Sequence, residues 1–153
     1  MRTVVDRALV TGWLLLAVSL PLGLTLEALH ALKVQVYLGS ELRRELWTLA
    51  HAHGNLLGIL CLVFAALGPR VSADPARRRR LANLLALGAM LMPVGFLLGG
   101  ILNSEGDPSL GILLVPVGGL VLLVALLGSA IAAFAPRAGD RRGDTDGGDA
   151  GAD

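Results

Sequence analysis

Four side chains that can bind metals or carry protons lie inside otherwise apolar segments of this 153-residue chain. They are Glu27 and His30 in the first segment and His51 and His53 in the second. A carboxylate or an imidazole is costly at membrane depth, so each of the four requires a partner, a ligand or a function. The two later apolar segments contain no charged or imidazole side chain, so these four residues are the candidates for chemistry.

Glu27 and His30 have the Glu-x-x-His spacing, which places a carboxylate and an imidazole on one face of a helix. Four-helix di-metal proteins use two such units and two further glutamates, and this chain has one unit, so we expect no di-iron site. A single-metal site formed by Glu27, His30 and His51 remains open, because imidazole suits iron, copper or zinc. A haem held between His30 and His51 or His53 is the other cofactor that these residues allow, since haem iron accepts axial histidine.

A structural role accounts for the same residues without a cofactor. Glu27 and His30 can pair with His51 or Asn55 near the membrane interface, where a polar side chain costs less than at the bilayer centre. On a helix, His53 is turned about 200° from His51 and shares its side with leucines. These two histidines therefore cannot ligate one metal from an undistorted helix. Of the candidates, His53 is the most open to a purely structural role, because its face is otherwise leucine.

The elements that must position these residues are four long apolar segments. The chain is 54% hydrophobic and 16% charged, whereas a soluble domain of this size carries about 25% charged residues. A helix of roughly 20 apolar residues crosses the hydrocarbon core of a bilayer, and no strand-like alternation is present. We predict an all-α polytopic membrane protein, a four-helix transmembrane bundle over residues 1–135 with a disordered Gly/Asp/Arg tail at 136–153. The predicted spans are 8–32, 46–68, 81–102 and 110–135.

The distribution of charge predicts how the bundle is oriented. Basic residues are concentrated at the N-terminus, in the second loop and in the tail, whereas the third loop, 103–108, has none. The positive-inside rule then places both termini and the second loop in the cytoplasm of a bacterium, with the first and third loops outside its cytoplasmic membrane. The run Arg77 to Arg80 follows Asp74-Pro75, a typical helix start, so we interpret it as a topology anchor at anionic headgroups rather than a nucleic-acid site.

Small residues recur at helical spacing along every span. Such residues allow transmembrane helices to approach closely, so we expect these faces to be the seams of a tight bundle. Glu27 and His30 would then lie at the outer end of an inward face. The four faces contain Gly12, Leu16, Ser19 and Gly23; His51, Gly54, Asn55, Gly58, Leu62 and Ala65; Gly88, Met92, Gly95 and Gly99; and Gly111, Gly118, Ala125, Ser129 and Ala132.

Other residues mark the ends and bends of the helices. Ser40 is the expected N-cap of the second long helix, and the Asp-Pro pairs at 74–75 and 107–108 are expected to begin the third and fourth. Prolines 21 and 93 should bend the first and third helices, and Pro116 should interrupt the middle of the fourth. Cys61 is the single cysteine and is expected to be a small core residue.

The first two spans form a hairpin, so the end of one should meet the start of the other. This topology places Glu27 and His30 at nearly the depth of His51 and Asn55. Polar residues of the third loop, Asn103, Glu105 and Asp107, belong to the same side. The sequence therefore predicts a cluster of polar groups at the extracytoplasmic end of the bundle.

The stretch from His51 to Gly58 reads His-Ala-His-Gly-Asn-Leu-Leu-Gly. It resembles the start of the second helix in a group of short, four-span bacterial membrane proteins, some of which are labelled as related to the catalytic subunit of haem-copper oxidases. The resemblance implies haem or metal binding, and alignment on Asn55 gives His53 the position of a haem ligand. It does not imply the full oxidase reaction, because helices three and four lack the further histidines.

The sequence thus predicts a small integral membrane protein that binds haem or a transition metal at the extracytoplasmic end of its first two helices. His30 and His51 are the preferred ligands, and Glu27 is a third ligand or orients one of them. The role would be electron transfer, sensing or metal handling, with a respiratory or other membrane-protein partner or as a homo-oligomer. Two alternatives remain open: a cofactor-free structural or assembly subunit, and a small oligomer that conducts protons or ions. No hydrolase or nucleotide-binding motif is present, which favours a non-enzymatic protein.

Overall fold

A computed structural model describes residues 6–101 and 106–135, and within them the protein is entirely helical. Four long helices are connected in sequence, with a single short helix in the first loop and a 3₁₀ turn before the last helix. The all-α, four-helix prediction is therefore confirmed. The helices are α1 (Arg7–Ala31), α2 (Gln35–Leu38), α3 (Glu41–Val71), α4 (Pro75–Gly99) and α5 (Leu114–Phe134), and the 3₁₀ turn is Leu110–Leu113.

All four predicted spans correspond to helices that are long and apolar enough to cross a membrane. Their outward faces are covered with large apolar side chains, and Leu20, Leu120 and Ile131 are each more than 60% exposed. Water would be a poor solvent for such a surface, whereas lipid chains cover it without penalty. The protein therefore has the properties of a multi-pass membrane protein. Predictions that concern the tail at 136–153 and the loop residues Asn103 and Glu105 lie outside the described residues.

The beginnings of α3 and α4 are capped as the sequence predicts. The Ser40 hydroxyl accepts a hydrogen bond from the Arg43 amide at 3.2 Å, and the Asp74 carboxylate accepts one from the Ala76 amide at 2.9 Å. Pro75 is the first residue of α4, where the missing proline amide has no helical partner to lose. These caps set the lengths of α3 and α4.

The beginning of α5 differs from the prediction. Asp107 and Pro108 do not cap this helix; Ser109 precedes the 3₁₀ turn, and regular α-helix begins only at Leu114. Pro116 consequently lies in the first turn of α5 rather than in its middle. The physical reason is the proline itself, which has no amide to donate to the carbonyl of residue 112, so an α-helix cannot extend through this position without losing a bond.

The helices meet along the predicted small-residue faces. Between α1 and α3, a Cβ atom on Gly58 would lie 3.1 Å from the Gly12 carbonyl oxygen. Between α4 and α5, a Cβ atom on Gly88 would lie 2.9 Å from the Gly118 carbonyl oxygen. Backbones therefore come into direct contact at both seams, as expected for transmembrane helices that pack through glycine.

A continuous core joins the two helix pairs. Cys61 and Ala89 are completely buried, which confirms the prediction that the cysteine is a core residue. α3 and α4 supply most of the core, because they occupy the centre of the bundle and contact helices on both sides. The core cluster contains Leu15, Leu57, Cys61, Leu85, Ala89, Leu122 and Ala125.

Candidate functional site

The register of α1 against α3 decides which polar residues can meet. Ser19 lies against Gly54, and Gly23 lies against His51, where a methyl group on the glycine would overlap the imidazole ring. His30 is seven residues beyond Gly23, which corresponds to about 10 Å along the helix. The structure therefore does not bring together His30 and His51, the pair that the sequence favoured as ligands.

His51 is held between α1 and α3 by hydrogen bonds to both ring nitrogens. Its Nδ1 lies 2.7 Å from the Ser19 carbonyl oxygen, so this nitrogen carries the proton and donates. The Asn55 amide nitrogen lies 3.3 Å from both ring nitrogens and donates to the ring. The ring also fills the space that Gly23 leaves open. His51 is thus a partnered residue of the helix seam. We refer to Ser19, His51 and Asn55 as the α1–α3 clasp.

Glu27 and His30 lie on the outside of the bundle rather than on its inward face. The buried face of α1 contains Leu15, Ser19 and Leu26, and Glu27 is turned by about 100° from Leu26 on the helix. Both Glu27 and His30 are exposed. The prediction of an inward orientation for these two residues is therefore wrong, because the seam follows Leu26 and not its neighbour.

His30 lines a shallow groove of about 550 Å³ with the polar first turns of α3. Arg44 is among the lining residues, and its Nε atom is buried without a hydrogen-bond partner. The other residues of this groove are Tyr37, Glu41, Glu45, Thr48 and Leu49. His30 is therefore level with the beginning of α3, whereas His51 lies ten residues further into that helix.

No metal centre is assembled in the part of the chain that the structure describes. Among residues 6–101 and 106–135, no group of three or more His, Cys, Asp or Glu side chains could hold a metal ion. The predicted set of Glu27, His30 and His51 is accordingly split between an exposed helix end and a buried seam. Its donors do not fit a single-metal site in this arrangement.

His53 differs from His51 because it keeps one ring nitrogen free. Its Nδ1 lies 2.9 Å from the Leu49 carbonyl oxygen, which fixes the proton on Nδ1. Its ring packs against Phe96 of α4, with a centroid separation of 4.8 Å and an angle of 39° between the planes. No described residue bonds Nε2. The half-buried His53 therefore presents a ring nitrogen without a described protein partner at the edge of the α3–α4 interface.

A second polar network closes the end of the bundle at which α1 ends and α3 begins. The Arg43 guanidinium donates to the Gly100 carbonyl at 3.0 Å and to the Val36 carbonyl, so it ties the first loop to the end of α4. Trp47 donates its indole N–H to the Leu97 carbonyl at 3.2 Å and stacks on the buried Tyr37. The sequence analysis gave no role to Arg43, whose carbonyl partners cannot be inferred from spacing.

Comparisons of the chain with protein-family models, with curated proteins and with solved structures found no match. The functional argument therefore depends on the geometry of the four candidate residues.

Proposed function

We propose that the protein is a small haem-binding membrane protein in which His53 is an axial ligand of the iron. Its role would be electron transfer or sensing within the membrane. The observation that carries this proposal is the free Nε2 atom of His53, an electron-pair donor without a protein partner among the described residues.

The depth of His53 makes a free nitrogen costly. The apolar run 46–68 has its midpoint at Leu57, four residues beyond His53. This separation corresponds to about 6 Å along the helix, so His53 belongs to the hydrocarbon region and not to the headgroup layer. Water is scarce at that depth, and an unpaired polar atom there costs on the order of several kcal/mol. A ligand on Nε2 removes this cost.

The tautomer of His53 is the one that metal ligation requires. A histidine ligand commonly donates Nδ1–H to a backbone carbonyl, and this hydrogen bond orients the ring and leaves the Nε2 electron pair for the metal. Leu49 provides that carbonyl here, and Phe96 restricts rotation of the ring. The resemblance of residues 51–58 to helix two of haem-copper oxidases also assigns the ligand position to His53.

The partner-free Nε2 of His53 supports one haem ligand, whereas the described residues do not gather three donors for a metal held by protein alone. His53 would hold the iron, and apolar side chains on the same side of α3, among them Leu49 and Leu60, would contact the macrocycle. A bound haem supplies one-electron redox chemistry or a site for small gases. The protein contributes the orientation of the ligand, the exclusion of water and a low-dielectric surrounding.

The arrangement of the glycine stripes bears on the alternative of a cofactor-free assembly subunit. An assembly subunit could use such stripes to pack against a partner protein. In the bundle, however, Gly12 and Gly58 pack against each other, and Gly88 packs against Gly118. Because these stripes are occupied by helices of the same chain, they do not offer a free docking surface, and we favour the haem proposal.

The test is an absorption spectrum of the full-length protein, purified in mild detergent from cells supplied with a haem precursor. We expect a Soret band in the wild type, its loss in His53→Ala and its retention in His51→Ala. His51→Ala is the matched control, because it removes an imidazole two residues away on the same helix. Circular dichroism of each sample establishes that the helices are intact.

Two results would contradict the proposal. A wild-type protein without a Soret band, even after incubation with haemin, would exclude haem as the ligand of this site. A Soret band that survives in His53→Ala but disappears in a His51→Ala variant with intact helices would show that His51, and not His53, holds the iron.

A further inference from the structure

A cavity of about 600 Å³ lies between the beginnings of α1 and α4, at the end of the bundle that contains the loop between α3 and α4. Three arginines line it, one from α1 and two from α4. A single carboxylate, that of Asp6, is also present. The full lining is Asp6, Arg7, Pro75, Ala76, Arg78, Arg79 and Asn83.

The electrostatics of this cavity favour an anion. The Asp6 carboxylate is already engaged, because it accepts hydrogen bonds from the Ala8 amide at 3.0 Å and the Leu9 amide at 3.4 Å. Arg7 and Arg79 have no ion-pair partner in the described part of the chain, and both are exposed. The amino-terminal ends of α1 and α4 both adjoin the cavity and add their partial positive charge.

Arg78 shows that the cavity is structured rather than a loose group of charges. Its guanidinium donates to the Ser72 carbonyl at 3.4 Å, and its aliphatic stem packs against the buried Gly68 at the end of α3. This side chain is therefore held between three segments of the protein. Asn83, one turn further along α4, adds an amide that can donate a hydrogen bond.

The depth of the cavity identifies the source of the anion. Its lining residues on α1 immediately precede the apolar run that begins at Ala8, and those on α4 precede or overlap the run that begins at Leu81. The cavity is thus level with the boundary between hydrocarbon and water, where lipid phosphates lie. Basic pockets between transmembrane helices at this level are suited to anionic headgroups.

We propose that this cavity binds the phosphate group of an anionic phospholipid, with Arg7 and Arg79 as the principal contacts and Arg78 as a fixed wall. This site is independent of the proposed haem site, because its lining on α4 ends at Asn83, about 20 Å along the helix from Phe96, which packs against His53. Lipid binding here would fix the separation of α1 and α4, which begin on the same side of the membrane.

The experiment measures binding to the full-length protein in neutral detergent by native mass spectrometry and by thermal unfolding. Phosphatidylglycerol, phosphatidylcholine and inorganic phosphate are titrated separately. The test variant is Arg7→Gln/Arg79→Gln. The matched control is Arg77→Gln/Arg80→Gln, which removes the same charge from the same end of the protein but leaves the cavity lining unchanged.

We expect phosphatidylglycerol to bind and stabilise the wild type, and phosphatidylcholine to have little effect. Because a basic residue near an anionic surface contributes about 1 kcal/mol, the test variant should lose affinity by about tenfold or more, and the control by less than about threefold. Equal losses of lipid affinity in the two double variants would overturn the proposed site, because they would show only a general attraction of the basic surface to anionic lipid. A response to inorganic phosphate without a response to the lipid would overturn the lipid assignment. Melting temperatures without lipid show whether the variants fold.

Discussion

The two helix seams of this bundle bring backbones equally close but do so with different chemistry. The seam between α1 and α3 contains the α1–α3 clasp, in which a histidine and an asparagine are hydrogen-bonded beside glycine. The seam between α4 and α5 is formed by glycines and apolar side chains such as Leu122, and the Ser129 hydroxyl bonds only to a carbonyl of its own helix. The close approach of two helix backbones therefore depends on glycine, which has no side chain, because the α4–α5 seam is equally tight without a polar hydrogen bond between the helices.

The polar clasp has a different effect, which is to select one arrangement of α1 on α3. Glycine faces permit several sliding positions at similar van der Waals energy, whereas a hydrogen bond from His51 to the Ser19 carbonyl is made in one position only. We infer that glycine sets the distance between helices and that the clasp sets their register. The following predictions test this division.

The largest effect is expected where a side chain is forced into the apolar seam. Gly88→Leu places a Cβ atom 2.9 Å from the Gly118 carbonyl oxygen and 3.0 Å from the Leu122 amide nitrogen, and backbone atoms cannot move aside cheaply. We expect a loss of about 3 kcal/mol in the free energy of unfolding, measured by circular dichroism in mixed micelles of mild detergent and dodecyl sulfate.

Gly119 provides the matched control, because it lies on α5 next to Gly118 but outside the seam. A Cβ atom on this residue would meet no atom within 4 Å. Gly119→Leu should change the free energy of unfolding by less than about 0.5 kcal/mol. If both variants destabilise the protein equally, helix packing through glycine is not the source of its stability.

An intermediate effect is expected when the clasp is removed. His51→Ala deletes a ring that fills the space beside Gly23 and two hydrogen bonds, and we expect a loss of about 2 kcal/mol in the free energy of unfolding. His53→Ala, without haem, should cost less than about 1 kcal/mol, because it removes one bond to a carbonyl of its own helix. A larger cost for His53→Ala would show that the seam does not depend on the clasp.

The smallest effect is expected at the edge of the clasp. Asn55→Ala removes the amide that donates to the His51 ring from the next turn of the same helix, and such i,i+4 side-chain pairs contribute about 0.2–0.5 kcal/mol, so we expect a loss of that size. A double-mutant cycle isolates the contact. In the His51→Ala background, Asn55→Ala should have almost no further effect on the unfolding free energy. Additive losses would mean that Asn55 acts through another partner.

Much of the fold follows from the sequence, because both the apolar runs and the glycine stripes obey a fixed helical period. The spans, the cap at Ser40 and the seam of Gly88 on Gly118 are examples. The last helix is the exception. A 3₁₀ turn precedes it, and the Asp-Pro pair at 107–108 does not predict that turn.

The candidate site was less predictable because it depends on the register between helices. The start of α3 at Glu41 agrees with the predicted cap at Ser40, but the sequence does not show that the polar first turns of this helix are the part that lies level with His30. His51 is consequently some 15 Å deeper into the helix than its first residue. Helical spacing identifies which residues share a face of one helix, but it does not give the axial position of that helix relative to its neighbour.

Cys61 is the only thiol in the chain and has no exposed surface, because it lies in the core where α3 meets its neighbours. A maleimide dye should leave it unmodified while the bundle is closed and react when α3 separates from the rest. The protein thus carries a single natural labelling position whose rate of modification reports helix separation directly, without any engineered probe.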